Sequence, residues 1–77
     1  QRVKAKMTGY KKGFPDLFIY ESRKDYHGLA IELKVGYNKP TKEQLYWQRE
    51  LNKRGYLAKI CTGIDEALEV INQYLKL

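Results

Sequence analysis

Hydrophobic and polar positions alternate through the middle of the chain, where Leu29, Ile31, Leu33 and Val35 interleave with Ala30, Glu32 and Lys34. A period of two marks a strand with one buried face. The pattern predicts a strand over 29–35, greasy on one side and carrying an acid beside a base on the other. Upstream, Val3, Ala5 and Met7 alternate with Arg2, Lys4 and Lys6, which predicts a short opening strand that is basic on one side. TGYKKGFP then supplies Gly9, Gly13 and Pro15 and forms a loop. DLFIYES, rich in aromatic and branched residues, resumes strand composition. RKDYHG turns the chain into the strand at 29, completing an antiparallel hairpin.

Beyond the loop GYNKPT the period lengthens. Thr41 and Gln44 give the T-x-x-Q of a capping box with Pro40 just outside it, so a helix is predicted from Lys42 to Arg54, ended by Gly55. YLAKIC is a further short strand. In TGIDEALEVINQYLKL, Ile64, Ala67, Leu68, Ile71, Tyr74 and Leu75 fall at helical spacing, and Asp65 and Glu66 occupy a first turn, where the helix dipole favours acids. The order is strand, strand, strand, helix, strand, helix. This is an α/β architecture: a mixed sheet made of a hairpin plus a parallel strand reached by a right-handed crossover, flanked by helices.

With 77 residues the chain is expected to be a single domain over 1–77. A domain near this size buries only about 60% of the surface its unfolded chain exposes, so a partner or a further segment would help it. Cys61 is the single cysteine, which rules out an internal disulfide and fits a reducing, intracellular setting. Its apolar surroundings mark it as a small core residue. No apolar run approaches the roughly 20 residues of a membrane span, and no leader pattern is present. The expectation is a soluble protein. The abrupt start at Gln1, without a helix start, suggests that something upstream has been removed.

Fifteen Lys and Arg against nine Asp and Glu give a net charge of +6. Arg2, Lys4, Lys6, Lys11 and Lys12 all precede the first acid, Asp16. Such an arm suggests a polyanion, since cations gain by releasing counterions from phosphate backbones. Plain solubilising charge is the competing reading.

The hairpin brings chemistry together. A turn centred on Arg23 to Tyr26 pairs residues whose numbers sum to about 49 or 50, which sets Asp16 opposite Leu33 or Lys34. Asp16, Glu32 and Lys34 then share a face at one end of the hairpin. Two carboxylates suit a hard divalent cation such as Mg²⁺ or Mn²⁺, which leaves positions for water and phosphate oxygens. Such an ion polarises a phosphodiester and lowers the pKa of a water, and Lys34 would orient that water or stabilise charge developing on phosphorus. The alternative for Glu32 and Lys34 is a solvated strand face with a weak surface pair. On the helix, Gln44 and Gln48 point where core is expected, and buried amides need partners. Gln44 either caps the helix or touches the site, two roles that one side chain is not expected to fill at once.

KKGFPDL, AIELKVG and PTKEQLYWQRELNKRGY, in that order, resemble the VRR-NUC domain of the PD-(D/E)xK nuclease superfamily, in particular its short standalone phage and bacterial members. The likeness covers almost the whole chain. It implies a restriction-endonuclease-like fold and an Mg²⁺- or Mn²⁺-dependent endonuclease that hydrolyses DNA phosphodiesters, acting on branched or structured DNA such as Holliday junctions. By motif match it makes Asp16 and Glu32 metal ligands, completed by the backbone carbonyl of Leu33, with Lys34 the catalytic lysine and Gln44 the accessory glutamine. It also implies a homodimer and a cytoplasmic home in a bacterium or a phage-infected host. The family's fold normally opens with a helix bearing a further Glu, and the chain starts after that place. The first helix is therefore expected to be missing, or supplied by a partner.

Nucleic-acid contacts are expected from Arg2, Lys4, Lys6, Lys11, Lys12 and Tyr10. Tyr10, Tyr37 and Tyr46 are candidates for stacking on unpaired bases, although most tyrosines in so short a chain are expected to pack. His27 reads as a solvated turn residue, and Trp47 as core or dimer interface. Rival classes are a noncatalytic nucleic-acid-binding module using the same basic arm, and an interaction domain that binds no nucleic acid. RNA remains open as a substrate.

Overall fold

A computed structural model of the chain describes residues 4–7 and 11–77. Among these, β1 (Ala5–Met7), β2 (Leu17–Ile19), β3 (Leu29–Lys34) and β4 (Leu57–Thr62) form one sheet in the order β1-β2-β3-β4. The first two pairings are antiparallel, and β3 and β4 run parallel. Helix α1 (Lys42–Lys53) makes the crossover between β3 and β4, and α2 (Ile64–Leu75) follows β4.

The helices cover opposite faces because the side-chain period of a strand is two. Odd positions Ile19, Leu29, Ile31 and Cys61 pack with Ala67 and Tyr74 of α2. Even positions Phe18, Ala30 and Ala58 pack with Leu51 of α1. β3 is therefore buried on both sides, with Leu29 and Ala30 fully enclosed and Glu32 nearly so. This corrects the expectation of a half-buried strand, and the enclosure of Glu32 goes against the alternative of a solvated face. Ala30 is small enough for α1 to lie close, and the neighbouring Glu32 is enclosed with it. Val35, expected on the greasy side, lies beyond the end of β3 and is exposed.

The hairpin register differs from expectation. Leu17 pairs with Ile31 and Ile19 with Leu29, while the turn is closed by an Arg23–Tyr26 bridge. Three residues, 20–22, thus oppose two, 27–28, and this β-bulge shifts the register. Continued toward the open end, the pairing sets Asp16 opposite Glu32. β2 is correspondingly shorter than the strand composition of residues 16–22 implies.

The capping box is present as predicted: Gln44 N–H donates to Thr41 Oγ1 at 3.1 Å and Thr41 N–H to Gln44 Oε1 at 2.9 Å. α1 ends one residue earlier than expected, at Lys53. Gln48 faces the outer edge of β4 rather than an apolar core. Its Nε2 donates to the Ala58 carbonyl at 3.4 Å, and Asn52 Oδ1 accepts from the Ala58 N–H at 3.0 Å. The two amides satisfy backbone groups that an edge strand leaves open. In α2 the buried stripe is rotated from its expected line. Ala67 and Tyr74 are buried and Val70 and Ile71 pack against the core, whereas Ile64 and Leu68 are exposed. Tyr74 sets this orientation, its hydroxyl donating to the Glu21 carbonyl at 2.6 Å. Cys61 is buried as expected, and burial pushes its thiol pKa up. The His27 ring is 5.6 Å from that of Tyr56, and its backbone N–H bonds Gly55.

Candidate active site

Asp16 reaches the end of the hairpin because the preceding loop is pinned to α1. Gly13 adopts φ +81, and a Cβ there would stand 2.4 Å from Glu43 Cβ, so only glycine lets the loop lie directly on the first helical turn. Phe14 follows, its ring 5.0 Å from Trp47 edge-on and 6.1 Å from Phe18. Buried Pro15 then delivers Asp16. Asp16 Oδ2 accepts the Leu33 N–H at 3.0 Å, taking the place of a ladder partner beyond the end of β2.

Glu32, on the central strand, is held from the other side. Gln44 Nε2 donates to Glu32 Oε2 at 2.8 Å while Gln44 Oε1 accepts from Thr41. One amide carries out both roles that had been expected to compete, because its donor and acceptor lie on separate atoms. The helix cap thereby fixes a carboxylate of the sheet.

Burial raises the Glu32 pKa to about 7, and the Asp16 carboxylate, which also hydrogen-bonds it, adds to the shift; the Lys34 ammonium partly offsets it. Near neutrality Glu32 is thus poised between charged and protonated forms beside Asp16. A cation between the two would take the proton's place. Lys34 is half-buried on the same face and forms no ion pair among the described residues.

The donor set fits a hard divalent ion. The two carboxylates supply oxygen ligands, and no group of three or more His, Cys, Asp or Glu that could hold a metal occurs among the described residues. Such a pair leaves coordination positions for water, phosphate and backbone oxygens, as Mg²⁺ prefers. Backbone groups of Gly28 and Lys34 turn toward β4, bonding Leu57 and Gly63, so those of Leu33 turn toward Asp16. The Leu33 carbonyl therefore faces the side of β3 on which Asp16 lies.

The predicted basic residues split. Lys6 pairs with Phe18 and so shares the sheet face of Asp16 and Glu32; Lys4 and Lys6 are both exposed. Lys11 Nζ lies 5.7 Å from the centre of the Trp47 ring, and Lys12 Nζ 3.8 Å from Glu43. Arg2 and Tyr10 lie outside the described residues. Sequence reasoning passed over Lys39 and Lys42, both exposed on the chain between Lys34 and Gln44. The signal was their place after E-x-K, Lys39 two residues ahead of Thr41 and Lys42 within the capping box.

The sheet order, with Asp16 and Glu32 at the mouth of the hairpin and α1 facing them, is an α/β architecture with two carboxylates at one end of a mixed sheet. The VRR-NUC domain family profile matches residues 1–65. The chain belongs to the VRR-NUC family. A solved structure described as a VRR_NUC domain protein is similar over 90% of this chain, with 46% identity and a TM-score of 0.83. The chain spans 57% of that protein's length. No match was found among curated proteins. No helix among the described residues is long and apolar enough to cross a membrane.

Proposed function

We propose that the chain is a divalent-metal-dependent deoxyribonuclease that hydrolyses phosphodiesters in branched or structured DNA, Holliday junctions included. The observation that carries this reading is the convergence of Asp16, Glu32 and Lys34 on one sheet face, with Gln44 bonded to Glu32. Asp16, Glu32 and the Leu33 carbonyl would hold Mg²⁺ or Mn²⁺. When bound, the ion supplies Lewis-acid polarisation of the phosphodiester and a lowered pKa for a water. Lys34 stabilises negative charge developing on the phosphate oxygens and orients the attacking water. Gln44 keeps the Glu32 carboxylate turned toward Asp16. Lys4, Lys6, Lys11 and Lys12 hold the DNA beside this site, and Arg2 and Tyr10, outside the described residues, are expected from the sequence to add contacts.

The reading includes a homodimer in the cytoplasm of a bacterium or phage-infected host. Exposed Met7, Val35, Ile64 and Leu68 offer apolar surface that a second copy would cover. A monomer at working concentration in sedimentation analysis would remove that part.

The test is cleavage of forked and four-way DNA by the full chain with Mg²⁺ or Mn²⁺. Activity that needs the metal and is lost in Asp16→Asn and Lys34→Ala is the expected result. Full cutting by both variants would refute the site. DNA affinity without any cleavage would instead favour the noncatalytic nucleic-acid-binding module, which the presence of only two acids at the described site makes a specific rival.

A further inference from the structure

The loop over 35–40 joins Lys34 to the Thr41–Gln44 cap, so both of its ends are anchored at the carboxylate pair. Within it Tyr37 is fully exposed, at 102% of the reference value. Every other tyrosine among the described residues lays its ring against another ring: Tyr20 on Phe18, Tyr26 on Tyr74, Tyr46 on Trp47, and Tyr56 on Phe18 and His27. Tyr37 alone has no ring partner there. Gly36, just before it, has φ +66 and open space where a Cβ would stand, so the glycine serves the turn rather than packing. That turn presents the Tyr37 ring to solvent.

Three lysines stand near it along the chain. Lys34, Lys39 and Lys42 lie within five residues of Tyr37 and form no ion pair among the described residues. Three residues of backbone span at most about 11 Å. Phosphates of one strand rise about 3.4 Å each along a duplex. Tyr37 therefore stands within about three nucleotides of a phosphate held at Lys34.

We propose that Tyr37 stacks on an unpaired nucleobase beside the scissile phosphate, with Lys39 and Lys42 on the flanking phosphates, and so selects DNA with an open junction over continuous duplex. The inference rests on the nuclease reading of the adjoining site. In a continuous duplex both faces of each base are covered by neighbours, whereas at a fork one face is free, and an aromatic ring gains most there. The lysines add affinity without regard to sequence.

The experiment uses the full chain in EDTA, so that binding is read without cleavage. One probe is a forked DNA carrying 2-aminopurine at the unpaired position next to the branch, and the other a fully paired duplex of the same length. The wild type is expected to quench the 2-aminopurine and prefer the fork. Tyr37→Ala should weaken fork binding about tenfold and abolish the quench, with duplex binding changed by less than about twofold. Tyr37→Phe should retain both properties. Equal loss on fork and duplex, or no loss on either, overturns the proposal. Metal-dependent cleavage by Lys34→Ala is measured separately, so failure of the nuclease reading is told apart from failure of the stacking role.

Discussion

The two faces of the sheet are made from the same strands and differ in what they bury. Beneath α2, Ile19, Leu29, Ile31 and Cys61 meet Ala67 and Tyr74, and the Tyr74 hydroxyl has its acceptor. Beneath α1, the apolar cluster of Phe18, Ala30, Leu51 and Ala58 stops part-way, and the same row continues as Glu32 and Lys34 beside Asp16. Strand alternation lets β3 serve both faces at once. Both faces carry an apolar cluster, but only the α1 face also buries a carboxylate whose charged form works against stability.

The sharpest way to break the contrast is to truncate neighbours on β3. Ile31→Ala, on the α2 face, should cost about 2–5 kcal/mol in urea unfolding, a large share of the stability of so small a domain. Asp16→Asn, on the other face, can still accept the Leu33 N–H and should leave the urea midpoint nearly unchanged. Its metal-dependent cleavage should fall by roughly 10²–10⁴-fold. A large stability loss in Asp16→Asn would mean that the α1 face is structural after all.

Next in size is the effect of pH on the α1 face. The Glu32 pKa is about 7 in the folded chain against an ordinary value of 4.5, so the folded state binds a proton that the unfolded state has already released. Without metal, this contribution is fully present below pH 4.5 and is lost as pH rises toward 7, up to about 3 kcal/mol in all. Glu32→Gln should flatten that slope and make the protein more stable than wild type at pH 8, while abolishing cleavage. Thermal melts against pH give the answer. Adding Mg²⁺ at pH 8 should raise the wild-type melting temperature and not that of Glu32→Gln, because only a site that binds the ion is stabilised by it.

A smaller effect is expected at Gln44, where helix and site meet. Gln44→Ala removes half of the capping box and the bond to Glu32, for about 1 kcal/mol of stability. The misplaced carboxylate should lower metal affinity or activity by about 10–100-fold. Thr41→Ala breaks the cap but leaves Gln44 Nε2 free to donate to Glu32, so it should reproduce the stability loss with a milder loss of activity. Equal activity in the two variants would show that the cap, and not the Glu32 bond, is what matters.

The order of elements was legible because period and punctuation are local: T-x-x-Q opens α1, and alternation marks β3. The relation of Asp16 to Glu32 was only half legible. Parity put them on one face, but the pairing depended on a bulge at 20–22 that no composition announces. The burial of Glu32 was hidden as well, since it depends on α1 closing over Ala30. In α2, Ile64 and Leu68 fit the apolar spacing as well as Val70 does, and the choice between them is made by a tertiary bond from Tyr74 to Glu21, distant in the sequence. The dual bonding of Gln44 was hidden for the same reason, its second partner lying on another element.

The gentlest probe of the contrast compares lysines on the two faces. Lys6 lies on the α1 face through its pairing with Phe18, and Lys59 on the α2 face through its pairing with Ile31; both are exposed. If DNA lies across the α1 face, Lys6→Ala should reduce the slope of log affinity against log salt by about one, and Lys59→Ala should leave it alone. Trp47, the single tryptophan, lies beneath Lys11 and provides an intrinsic fluorescence signal for the titration. Equal slope changes in both variants would mean that DNA does not distinguish the faces. Net charge alone would then account for binding, and the polar row on β3 would lose its role in placing the substrate.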